Sequence, residues 1–358
     1  MSEAEVSASN VDERRGTAPS ELSAPAGTGR GGAVLAAPRT LLSFFVRFRE
    51  ASILVVTVGL VVYFSTATSA FMTEGNLITV SHYVAPVAIL ATGQVLLLIS
   101  GEIDLSVGHM YALAPFLMHY LISFYGVPVI LAIVLALGAG AVVGLINGLV
   151  TVRLHVPSFV TTLGMLFLLS GVTLITSHAY PVGIPEAARG VQKWLGGAEW
   201  SEMIWAVAIV VIFQVILSRT RWGLHTVATG GNMHGASEAG VKTNRIKIGN
   251  FMITSMLGAL TGILEAFHIN SIEPLAGGSG IMFFAVAAAV IGGTALAGGS
   301  GTIVGALFGA VVLGILRDGF NLIGISADRF DLILGLAILV AMVLNVYLSS
   351  LRSKAPLR

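Results

Sequence analysis

The sequence predicts an all-α polytopic membrane protein of about ten transmembrane helices, and three observations carry that reading. Of its 358 residues 55% are hydrophobic and only 10% charged, with a mean hydropathy of +0.90. The apolar runs approach the length that a helix needs to cross a hydrocarbon core about 30 Å thick. The stretch from Ala285 to Gly309, AVAAAVIGGTALAGGSGTIVGALFG, replaces the bulky residues of a soluble core with small ones. Helices in lipid associate through close van der Waals contact, which small residues at four-residue spacing allow. Gly301, Gly305 and Gly309 have that spacing. The interruption Gly298-Gly299-Ser300-Gly301 predicts non-helical backbone at membrane depth, which is tolerated only where protein or a water-filled cavity covers it.

Residues 1–50 form a separate regime rich in Ser, Ala, Gly and Pro and are read as a disordered, uncleaved cytoplasmic tail. A signal peptide places its apolar core close to the N-terminus, whereas here the first long apolar run begins near Ile53. Residues 51–350 are read as one membrane-spanning bundle. The spans are expected at 53–71, 77–100, 105–124, 128–151, 158–176, 201–219, 247–268, 283–297, 302–317 and 330–349, followed by a short cytoplasmic tail at 351–358. Alternating from a cytoplasmic start, fifteen of the 19 basic residues fall inside, leaving Arg189, Lys193, Arg317 and Arg329 outside. That asymmetry follows the positive-inside rule and puts both termini in the cytoplasm of a multi-pass cell (inner or plasma) membrane protein.

A weak internal repeat accompanies the spans. At a constant offset Gly148 matches Gly319, Phe159 matches Phe330, Leu163 matches Leu334 and Gly164 matches Gly335. The matched regions lie five spans apart, and an odd displacement inverts the direction of crossing, as in the inverted repeats of transporters. Gly140, Gly144 and Gly148 of span four answer Gly301, Gly305 and Gly309 in a different register.

A net charge of +1 excludes a general electrostatic bias toward nucleic acid, and the absence of cysteine excludes disulfides and thiolate metal sites. No Gly-x-x-x-x-Gly-Lys-Ser/Thr phosphate cradle occurs, so this chain does not hydrolyse ATP by that route. No HExxH, nucleophile elbow or metal cluster is evident, and the eight histidines look scattered. Between spans two and three, Ser100 to Gly108 carries Glu102 and Asp104, with Gly108 opening the next helix. Asp104 is placed as an N-cap or first-turn acid, where free N–H groups and the helix dipole meet a carboxylate; direct substrate contact is the rival use. The longest polar segment, residues 219–247, fits two short helices at 223–229 and 233–239 separated by Gly230-Gly231-Asn232. Gln94, Asn147, Thr161, Thr162 and Asn321 are the polar residues within spans that suit a permeation path, and Glu265 is an ionisable one toward the outer end of span seven. Each of the polar ones serves equally to tie one helix to another.

Three motifs carry a resemblance: GEIDLSVG, RWGLHTVATGGNMHGASEAGV and IGGTALAGGSGTIVGALFGAVVLGILRDGFNLIG. From about Leu77 to Tyr347 the chain resembles the permease subunits of ATP-binding-cassette importers for monosaccharides, of the ribose, xylose and galactose type. The resemblance implies a type II importer bundle of about ten helices and two permease subunits, alike or different, around the channel. It implies ATP and Mg bound by a separate cytoplasmic subunit, and an extracytoplasmic sugar-binding protein. Arg221, Gly223, Ala228, Gly230, Gly231, Asn232 and Gly240 fall on the family's cytoplasmic loop, with Ala236 beside them; in such importers that loop couples to the ATPase. Two departures stand out. The family usually has Gly-Gly-Ile-Asp where this chain has Gly101-Glu102-Ile103-Asp104, and Glu-Ala-Ala where it has Met233-His234-Gly235.

The expected function is therefore import of a monosaccharide or related polyol by alternating access. The same scaffold serving nucleosides or branched-chain amino acids is one alternative, and an ion-coupled secondary transporter is the other.

Overall fold

The computed structural model describes residues 49–326 and, beyond them, residues 329, 332, 333, 335, 336, 339, 340 and 343. Residues 1–48 of the tail expected at 1–50, most of the tenth span and the C-terminal tail lie outside the described residues, and residues 49 and 50 open the first helix instead of closing the tail. Within residues 49–326 the described α-helices are, in chain order, α1 (Arg49–Ala67), α2 (Glu74–Ile99), α3 (Val107–Ser123), α4 (Val129–Arg153), α5 (Ser158–Ser177), α6 (Arg189–Gln192), α7 (Ser201–Arg219), α8 (Arg221–Gly231), α9 (Met233–Glu238), α10 (Thr243–Ile269), α11 (Gly278–Ile291) and α12 (Ile303–Leu322). Six of them, α2, α4, α5, α7, α10 and α12, are long and apolar enough to cross a membrane. The apolar part of α1 (Ile53–Ala67) and α11 are shorter.

Two helices sit differently from the sequence expectation. The eighth span begins at Gly278 rather than at 283, because Gly278-Ser279-Gly280 forms a first helical turn instead of a loop, and it stops at Ile291 before Gly292-Gly293. Gly301 falls outside α12, whose N-cap is Thr302, so only Gly305 and Gly309 of the expected glycine stripe are helical.

Burial separates a central helix from peripheral ones. Every residue of α2 from Val84 to Ile99 is buried, the pattern of a helix that is hydrophobic all round and enclosed by others. By contrast α4, α5 and α7 turn Val134, Leu135, Phe167, Leu168, Val211 and Ile212 outward, as expected of a surface facing lipid rather than water. Two sets of three helices pack mutually: α3, α4 and α10, and α2, α11 and α12. The two sets meet where α2 packs on α10. Small residues bring the backbones together, with Gly140 and Gly144 of α4 against the carbonyls of Ser255 and Phe251 in α10, and Gly309 of α12 against the Ala288 carbonyl of α11. The sheet is minimal: β1 (Val182–Gly183) pairs antiparallel with β2 (Ser271–Ile272), Val182 opposite Ile272. It lies at the end of α10 that carries Ile269, and α8 and α9 lie at the other end.

Candidate functional site

Three segments distant in sequence meet at the C-terminus of α2. The Gly299 N–H donates to the Ile99 carbonyl at 2.8 Å. Gly230, near the end of α8, lies so close that a Cβ there would collide with that same carbonyl and come within 2.8 Å of the Gly299 nitrogen. Gly298 and Gly299 take φ of +86° and +76°, a region open to glycine at little cost and closed to β-branched side chains. Gly231 and Gly301 complete the cluster: a Cβ on Gly299 would lie 2.8 Å from the Gly231 Cα, and one on Gly301 would lie 2.9 Å from the Ile99 side chain. The glycines of the break between α11 and α12 thus pack against α2 and α8, while Leu296 and Ala297 stay exposed.

Asp104 is fully buried in the turn after α2. It is neither the N-cap nor a first-turn acid of α3, because the helix starts at Val107 with Ser106 in the cap position. Its carboxylate instead accepts from the Ser106 N–H at 2.8 Å and from the Ser106 hydroxyl at 2.6 Å, closing an Asx turn that leads into the helix. Asn147 of α4 donates to the Ser106 hydroxyl at 3.0 Å and to Asp104 at 3.4 Å, and Gln94 of α2 donates to the Asp104 carbonyl at 2.6 Å. Two of the expected path residues therefore join helices through one buried network, and each leaves an amide oxygen, Gln94 Oε1 and Asn147 Oδ1, without a partner. Gly108, the second residue of α3, lies against the Gly278 carbonyl.

The other expected path residues are apart from this network. Thr162 returns its hydroxyl to the Ser158 carbonyl at 2.7 Å, Thr161 has a buried, unpartnered hydroxyl, and Asn321 is exposed at the end of α12. Glu102 pairs with Lys247 of α10 at 2.6 Å, both side chains nearly buried.

The polar loop forms the two expected helices, longer in the first case and separated by Asn232 alone. Thr220 caps α8 by accepting from the Gly223 N–H at 3.4 Å, and Asn232 caps α9 by accepting from the Gly235 N–H at 2.9 Å. Gly223 is buried against the Leu217 carbonyl, which lets α8 turn back tightly from α7. Arg221 and Gly240 are exposed and Ala228 half-buried. Ala236 is buried at 8% exposure, so its side chain faces the bundle and not a partner. The apolar side chains presented outward are Leu224 and Met233, 66% and 46% exposed. A basic cavity of about 890 Å³ adjoins them, lined by Arg153, His155, His234, Lys242 and Arg245 among others.

At the opposite ends of α2 and α10 the histidines prove less scattered than the sequence suggests. His82 of α2 and His268 of α10 stack with ring centroids 3.6 Å apart, and His82 Nδ1 lies 2.9 Å from Glu202 of α7. Glu265, one turn before His268, lies within hydrogen-bonding reach of Glu202, with Arg317 nearby. The Arg317 guanidinium sits 4.4 Å over the Tyr83 ring.

The sequence pattern of the family described as branched-chain amino acid transport system / permease component matches residues 76–342. The chain belongs to this permease family. Among similar proteins, the xylose/arabinose import permease protein of Sulfolobus acidocaldarius is 38% identical over 314 residues, covering 84% of this chain and 86% of that one. The ribose import permease protein of Escherichia coli K12 is 34% identical over 304 residues, covering 83% and 93%. A fructose import permease protein of Rhizobium meliloti is 28% identical over 324 residues, covering 87% and 90%. No solved structure matches the chain.

Within the permease, sequence reasoning missed two residues that organise the glycine end. Asn250 of α10, fully buried, accepts from Trp222 Nε1 at 3.0 Å and donates to the Leu96 carbonyl at 3.1 Å, holding α8 against α2. Gln214 of α7 accepts from the N–H groups of Ile303 and Val304 at 2.9 and 3.1 Å, satisfying free donors at the start of α12. A lone amide inside an apolar span was the available signal in both cases.

Proposed function

We propose that this permease is the membrane-spanning subunit of an ATP-binding-cassette importer that moves a monosaccharide or related polyol into the cytoplasm. The reading rests on one observation above all: three motifs shared with sugar permeases converge on Ile99, where the short helices α8 and α9 leave the bundle with Leu224 and Met233 outward. A pair of short helices tied by backbone contacts to the central helix is suited to pass a push from a docked ATPase into α2. The relatives named for xylose/arabinose, ribose and fructose support a sugar as cargo. In this arrangement α8 and α9 face the cytoplasm, both termini lie on that side of the cell membrane, and ATP and Mg bind to the partner ATPase.

A bundle of about ten helices with an inverted repeat suits the packing. Moving five spans along carries the mutually packed set α3, α4 and α10 onto α11, α12 and α2. A second permease subunit, identical or different, completes the channel, and an extracytoplasmic binding protein delivers the sugar. The unpartnered oxygens of Gln94 and Asn147 are the acceptors best placed to meet a hydroxylated cargo or its water.

The test is reconstitution in proteoliposomes. Alone, the permease gives no uphill uptake under a proton or sodium gradient; with its ATPase and binding protein it accumulates sugar. Gradient-driven accumulation without the ATPase overturns the proposal. Leu224→Glu and Met233→Glu are expected to leave the protein monodisperse while abolishing pull-down of the ATPase and its stimulation by loaded binding protein. Full stimulation in both places the interface elsewhere.

A further inference from the structure

We propose that His82, Glu202 and His268 form a binding site for a divalent transition-metal ion, with zinc as its representative. Three helices supply one ligand each: α2, α7 and α10. Their donor atoms all lie within 4.8 Å of one another. Neighbouring donors around a tetrahedral zinc stand about 3.4 Å apart, given metal–ligand distances of about 2.1 Å. Drawing the donors to that spacing calls for rotation of the side chains. The face-to-face His82 and His268 rings direct their in-plane lone pairs to a common point once one ring turns, and the second side-chain torsion of histidine is broad.

Charge supplies the second argument. The Glu202 side chain is 3% exposed, with Glu265 beside it, so two acidic groups occupy one part of a bundle built of apolar helices. Carboxylates inside such a bundle face its interior and pair with other polar groups there. Arg317 is exposed and directs its guanidinium over the Tyr83 ring, which leaves Glu202 facing the two imidazoles. A dication balances the carboxylates and takes both imidazoles as neutral ligands, with Glu265 positioned to fill or hydrogen-bond the fourth place. Two imidazoles and a carboxylate favour zinc and its neighbours in the first transition row, and disfavour magnesium and calcium, which take oxygen donors.

The consequence is mechanical. Both α7 and α10 pack well against α2 but touch one another little, so a metal bound by Glu202 and His268 joins two helices that otherwise meet mainly through α2 and the segment Lys193–Gly197. Occupancy would restrain their relative motion at the end of the bundle opposite α8 and α9.

The experiment uses the full-length protein in detergent, free of any polyhistidine tag, titrated with Zn²⁺ by calorimetry and with Co²⁺ by visible absorption. Binding of one ion per chain is expected, with the intense d–d bands of tetrahedral cobalt, and a higher Tm in zinc but not in magnesium. His268→Gln and Glu202→Gln should each weaken binding by about tenfold or more. His234→Gln, which removes a histidine of the basic cavity, should leave it unchanged. If Glu202→Gln fails to fold, His82→Gln takes its place. Absence of stoichiometric binding overturns the site, as does equal binding by wild type and His268→Gln, or loss of binding in His234→Gln alone.

Discussion

The two ends of α2 are built on opposite principles. At Ile99 the contacts are backbone to backbone, made by glycines of two other segments, and several polar groups close by are matched, Asp104 with Ser106, Glu102 with Lys247, Asn250 with Trp222 and Leu96, while Gln94 Oε1 and Asn147 Oδ1 are not. Around His82, some 26 Å away at the helical rise of 1.5 Å per residue, the contacts are side chain to side chain, and they gather ionisable groups. The first construction is intolerant of added volume. The second accepts volume and responds to charge. A machine that transmits force at one end and meets its cargo or an ion at the other has use for both.

The comparison breaks most easily at Gly230. Gly230→Val drives a branched side chain into the Ile99 carbonyl, and we expect loss of monodisperse protein and of uptake, while Ala295→Val, half-buried nearby, stays close to wild type. Equal behaviour of the two would remove the claim that this end runs on backbone contact.

Next in size is Asp104→Ala, which strands the Ser106 N–H and hydroxyl in the interior; each buried group left without a partner costs about 1–3 kcal/mol. A lower Tm in detergent is expected, with Asp104→Asn losing less because it keeps an acceptor oxygen.

A smaller effect separates Glu102 from its surroundings. The resembling family usually carries glycine there, yet here Glu102 is bound to Lys247. Glu102→Gly leaves a nearly buried ammonium alone and should lower the Tm, and adding Lys247→Ala should recover part of the loss, since it is the stranded charge that is costly. No recovery in the double variant would mean that the pair contributes through packing only.

The smallest expected effect sharpens the contrast from the other side. In metal-free buffer His268→Gln, at a half-buried position, should change stability by no more than about 0.5 kcal/mol. A loss as large as that of Asp104→Ala would show that the stacked imidazoles are structural in their own right.

The glycine end was legible in the sequence because its physics is local: a double glycine, an Asn cap and a Gly-Gly-Ser-Gly run declare backbone geometry residue by residue. The ionisable end was not, since His82, Glu202 and His268 share no spacing and meet only through the packing of three helices. Ala236 shows a second limit. Its small size suggested a docking surface, but a six-residue helix too short for a reliable period concealed that it is buried within the chain. Asp104 shows a third, for helix boundaries shift by one or two residues and a cap shifts with them.

The bond from Gly299 N–H to the Ile99 carbonyl joins residues two hundred positions apart. Chains emerge from the ribosome at about 5–20 residues per second, so α2 waits roughly 10–40 s in the membrane before the segment that closes its end exists. Throughout that interval the Leu96, Leu97 and Leu98 carbonyls have their donors in the turn that directly follows α2, whereas the Ile99 carbonyl waits for the Gly299 N–H. The end to which the proposed coupling is assigned is also the end that synthesis completes late.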